Sequence, residues 1–116
     1  MYEAQFPSKM ARIAAALADL LHDHPWQAGV MQALARAASQ SDVKALETLY
    51  ASGDIWGGSG SVFDVNLQNP EAKKAHCSLL VELVQSFEDA GIRFAPAKAR
   101  ASICAEWLSS GVFDKG

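Results

Sequence analysis

Apolar positions along this chain recur at helical spacing. Met10, Ile13, Leu17, Leu20 and Leu21 fall on one face, which predicts a first helix from about Ser8, its N-cap, to His22. Pro25 ends that pattern, because the residue before a proline avoids the α region. The same proline suits the first position of a second helix, where no amide proton is needed. Trp26, Val30, Met31, Leu34 and Ala37 form its stripe, and the short gap predicts an antiparallel helical hairpin. Ser41 is the expected cap of a short third helix, with Asp42 in its first turn and Val43, Leu46, Leu49 and Tyr50 facing inward. Gly53 is read as its left-handed stop.

The segment Gly53 to Gln68 breaks the pattern. Four glycines and two serines alternate there with Ile55, Trp56, Val62, Phe63, Val65 and Leu67. It is too apolar for a linker and too rich in glycine for a helix. A packed loop is expected, with a short extended piece over 62–67. Asn69-Pro70-Glu71 then sets a strong helix start: a cap, a proline at the first position and an acid in the first turn. That helix should run to Ala90 and stop at Gly91. Leu79, Leu80, Leu83, Val84 and Phe87 give it a broad face, with Val81 to spare, so it is the expected central helix. A last helix is predicted over Pro96 to Ser109, with Ile103, Cys104, Trp107 and Leu108 inward and Gly111 as its end. The tail Val112 to Gly116 would fray or dock through Phe113. The expectation is an all-α fold, a compact bundle or orthogonal array of about five helices with one ordered glycine-rich loop, in a single domain over 1–116.

Composition agrees with this. The chain has 116 residues and is 50% hydrophobic, enough for a core without metals or disulfides. Its net charge of -3 offers no basic stripe for nucleic acid. Arg93, Lys98 and Arg100 read as a solvated loop and first helical turn. No run approaches the ~20 apolar residues of a membrane span. The first residues lack a basic stretch, so no signal peptide is expected and a cytoplasmic protein is the default. Cys77 and Cys104 are too few for a disulfide scaffold and read as small buried side chains. The three tryptophans, Trp26, Trp56 and Trp107, read as core anchors.

Candidate chemistry is sparse. Trp56-Gly57-Gly58-Ser59-Gly60-Ser61 has the glycines of an anion cradle but no Lys followed by Ser or Thr, and no strand-to-helix context. A tight turn seating Trp56 and Phe63 is the simpler reading. Asp64 is a lone carboxylate. Asp19, His22, Asp23 and His24 cluster at the end of the first helix, and His76 of the fourth helix could complete a metal site with them, but the spacing matches no metal motif, so neither metal nor cofactor is expected. No catalytic constellation assembles, and an enzyme is the less favoured class.

Gly57 to Val65, read as G-G-x-G-S-x-x-D-V, resembles the signature of an uncharacterised family of small bacterial helical proteins. Family members usually carry Asn before the acid, where this chain has Phe63. The resemblance implies a helical half, the glycine segment and then a long helix, and assigns no activity. Similar small acidic proteins serve as immunity partners in bacterial toxin systems.

Two functions follow. In the first, the chain binds a protein partner, such as a basic toxin domain that it neutralises, through the face from Leu46 to Glu71. That stretch carries Glu47, Asp54, Asp64 and Glu71 and no Lys or Arg. In the second, the glycine loop organises a small-ligand or enzymatic pocket lined by Trp56, Ser59, Ser61 and Asp64. A homodimer using the spare apolar positions of the long helix is a third reading.

Overall fold

The computed structural model describes residues 6–114. The leader reading at the first residues, and the last two residues of the tail, fall outside them. Among the described residues are six α-helices and a closing 3-10 turn, with no strand. They are α1 (Phe6–Leu20), α2 (Pro25–Ser39), α3 (Val43–Tyr50), α4 (Gly53–Trp56), α5 (Pro70–Asp89) and α6 (Ala95–Ser110), followed by the turn Val112–Asp114. The expected all-α array is therefore present, with α4 as an extra single turn inside the expected loop.

The long helix α5 is the axis. It packs on α1, on α6 and on the terminal turn. Helix α1 pairs with α2 as a hairpin, and α3 and α4 sit against α2. Met10, Leu17, Leu21, Met31, Leu34, Leu46, Leu80, Leu83 and Phe87 are fully buried in one continuous core. The radius of gyration is 13.4 Å. A single compact unit of this length is expected near that value.

Two helix ends show why the chain turns where it does. At α5 the cap is Ala90, and Gly91 follows at φ 85°. The Gly91 amide donates to the Glu88 carbonyl and the Ile92 amide to that of Phe87, both at 2.9 Å. This is the paired bonding of a Schellman ending. The end of α2 repeats it without glycine. Ser41 adopts φ 53°, its amide donates to the Ala38 carbonyl at 3.0 Å, and the Asp42 amide reaches Ala37 at 2.9 Å. Ser41 thus closes α2 instead of capping α3. The cap passes to Asp42, whose carboxylate accepts from the Ala45 amide at 3.2 Å.

Other expectations are corrected. Ser8 lies inside α1, because Pro7 occupies the first turn, where an amide has no helical partner in any case. The helix ends at Leu20, two residues before His22. Gly53 does not stop α3; it opens α4 under the hydroxyl of Ser52, which accepts from the Asp54 amide at 2.9 Å. Segment 62–67 forms no strand pairing. Asn69 does cap α5, at 2.7 Å from the Ala72 amide, and Gly111 ends α6 at φ 70°. Trp26 is 56% exposed. It lies about 140° around the helix from Met31, off the buried stripe.

Candidate functional site

The glycine-rich segment is held from all sides. Trp56 is buried at its start, with Nε1 donating to the Tyr50 carbonyl at 2.9 Å and its ring edge-on to Tyr50 at 6.0 Å. Gly57 then leaves α4, where a Cβ would stand 2.4 Å from the Gly53 carbonyl oxygen. Gly60 adopts φ 88°, a conformation glycine tolerates best. Ser61 is buried; its hydroxyl donates to the Gly57 carbonyl at 2.9 Å and accepts from the Asp64 amide at 3.2 Å. The Val62 and Phe63 amides donate back to the carbonyls of Asp54 and Ile55.

Side chains from three other helices bond the carbonyls of this segment. Gln27 of α2 donates to Gly60 at 2.9 Å. Arg100 of α6 donates to Trp56 at 3.4 Å and lies over the Phe63 ring at 4.8 Å from its centre. His76 of α5 is buried, and its Nε2 bonds the Val62 carbonyl at 3.0 Å. A carbonyl only accepts, so that nitrogen carries the proton. Burial holds the His76 pKa below the ordinary histidine value, aided by His24, while the bond to Val62 works against it. The glycine segment is therefore a clip joining α2, α4, α5 and α6.

The clip forms one wall of a cleft of about 370 Å³. Phe63, Asp64, Val65, Asn66 and Leu67 supply that wall. Helix α5 contributes Lys73, His76 and Cys77, and α6 contributes Cys104 and Trp107. Val112 and Phe113 of the terminal turn close one end. An ion pair between Lys74 and Asp114 ties the turn to α5. Trp107 stands between Phe63, stacked at 6.4 Å, and Phe113, edge-on at 6.2 Å. Even so, Trp107 remains 42% exposed and Val112 47%.

Cys77 and Cys104 are both buried, and they line the same cleft from α5 and α6. The neighbouring Cys104 thiol lowers the pKa of Cys77, while Cys77 and burial raise that of Cys104.

The residues singled out in the sequence are dispersed. Of Trp56, Ser59, Ser61 and Asp64, Asp64 borders the cleft; Trp56 and Ser61 are buried on backbone partners, and Ser59 is exposed on the loop. Asp54 is exposed in α4. Glu47 borders a different crevice, beside Tyr50, Arg93 and Phe94. Glu47 and Asp64 thus lie at separate cavities, and Asp64 shares its cleft with Lys73 of α5. Arg93 and Lys98 both pair with Glu88, at 3.3 and 3.8 Å. His22 bonds the Asp19 carbonyl at 3.0 Å and pairs with Asp23 at 3.4 Å. Among the described residues no three His, Cys, Asp or Glu side chains converge as a metal would require. Likewise, no described helix is long and apolar enough to cross a membrane.

Sequence reasoning missed Trp107, Val112 and Phe113 as a site. Trp107 follows Cys104 by one turn, so it shares the inward face of α6. The signal was its position three residues before the end of α6, followed closely by the apolar Val112 and Phe113. Comparison with protein-family models, with curated proteins and with solved structures finds no match to this chain.

Proposed function

We propose that this chain is a protein-binding module and that the cleft between the glycine clip, α5, α6 and the terminal turn receives an apolar side chain of the partner. The observation that carries this reading is Trp107, held between two aromatic rings yet 42% exposed. An aromatic side chain fixed in place and left uncovered is the usual anchor of an interface, because little entropy is lost when a partner docks on it. Val112 extends the apolar surface at 47% exposure, and Asp64, Asn66 and Lys73 supply a polar rim. The mild acid excess favours a basic partner. Neutralising a toxin, as an immunity protein does, is a role of this kind. Capture of a partner by the wild-type chain, lost on Trp107→Ala in a folded protein, tests the reading.

The cleft volume also favours a second reading, a small apolar ligand, since about 370 Å³ lies at the low end of the ~300–1,000 Å³ typical of ligand pockets. That reading predicts stabilisation by apolar fragments with no protein partner present.

A further inference from the structure

We propose that Cys77 and Cys104 form a reversible disulfide, joining α5 to α6 beneath the cleft, when a hydroperoxide enters it. Three observations converge on this pair. These are the chain's two cysteines, so neither has a competing partner within the molecule. They sit on the packed helices α5 and α6, and each is the largest influence on the other's pKa. Both line the cleft, which gives a small oxidant a route to side chains that are otherwise 3% and 1% exposed. Closing the bond brings the two sulfurs to about 2.05 Å.

The chemistry balances with one equivalent of peroxide. Cys77, whose thiolate the Cys104 thiol stabilises, attacks one peroxide oxygen. The O–O bond breaks, hydroxide leaves and takes up the thiol proton as water, and Cys77 becomes a sulfenic acid. The Cys104 sulfur then attacks the sulfenic sulfur, the S–O bond breaks, and the departing hydroxide takes the Cys104 proton as a second water. Two thiols have lost two electrons and hydrogen peroxide has gained them. A dithiol reductant reverses the bond by exchange. Trp107 lies one turn beyond Cys104, and Lys73 one turn before Cys77, so tightening the pair displaces both cleft walls. That consequence for partner binding rests on the function proposed above, whereas the bond itself does not.

The test treats reduced, native protein with hydrogen peroxide and reads intact mass and free thiols. The expected result is a monomer that has lost two hydrogens and both reactive thiols, with reversal by dithiothreitol. Cys104→Ser should stop at a sulfenic acid on Cys77, trapped by a dimedone-type reagent. Thiols that stay free in the native protein under conditions oxidising a cysteine peptide would overturn the proposal. So would a disulfide formed solely between two chains. Because mass is read without any partner, failure of the bond is distinguishable from failure of the binding role.

Discussion

Replacing Tyr50 by phenylalanine removes one oxygen from the centre of the core and should make the protein more stable. Tyr50 is fully buried. Its ring stacks on Phe87 at 3.8 Å and 10° and meets Trp56 and Phe94 edge-on, at 6.0 and 6.2 Å. All those contacts survive in phenylalanine. The hydroxyl, by contrast, finds no hydrogen-bond partner among the described residues. A buried unpaired hydroxyl costs about 1–3 kcal/mol, so Tyr50→Phe should gain up to that amount. With a urea slope of about 1–3 kcal/mol per molar, the midpoint rises by roughly 1 M. Tyr50→Ala should instead lose about 3–5 kcal/mol, because the stacked ring goes with the hydroxyl. A second signature lies in alkali. Burial, and then the negative charge of Glu88, raise the Tyr50 pKa well above its usual value. The folded state therefore resists ionisation. Stability from this group is complete below pH of about 10 and is lost as pH rises past it. Tyr50→Phe should lack that loss. If Tyr50→Phe instead destabilised by about 1 kcal/mol or more, the hydroxyl would have a partner in solution, and the packing described for this core would be wrong.

Other expectations follow from single residues. Because the folded His76 pKa is depressed, its contribution is complete above pH of about 6.5 and is lost as pH falls below it, by at most about 1.4 kcal/mol per unit; urea midpoints at pH 7.5 and 5 should separate in wild type and converge in His76→Asn. Gly57→Ala should cost about 1–3 kcal/mol, since its Cβ would strike a backbone oxygen at 2.4 Å, while Gly58→Ala meets open space and should be close to neutral. Ser41→Gly should raise the thermal midpoint, because it relieves a left-handed residue at φ 53° worth about 1 kcal/mol; an unchanged or lower midpoint would mean that Ser41 bears no such strain.

The helices were legible where local rules are strong. Proline at the first turn placed α2, Asn69 and Pro70 placed α5, and Gly91 and Gly111 marked two ends. Reading failed where a rule had two readings. Ser41 is both a good cap and, less often, a left-handed residue; the two Schellman bonds to α2 decide for the latter, and Asp42 inherits the cap. Gly53 suits a helix stop, yet Ser52 beside it starts a new turn. The glycine clip was legible as a packed loop. What secures it was not, since Gln27, His76 and Arg100 arrive from distant parts of the chain. The cleft was hidden for a related reason. Its walls join residues 63–67 to α5, α6 and the terminal turn, and no spacing along the sequence encodes that meeting. Trp107 carries the periodicity of a core residue, but periodicity reports which face a residue lies on, not whether a neighbour covers it.

The most direct test of the central claim is quantitative affinity capture from lysate of the source organism at moderate salt, comparing wild type with Trp107→Ala, Val112→Asp and Trp26→Ala, each first shown to be folded by its urea midpoint. A stoichiometric protein partner is expected, one that both cleft variants weaken by about tenfold or more and that Trp26→Ala retains. Equal retention by the two cleft variants, or loss on Trp26→Ala alone, would contradict it.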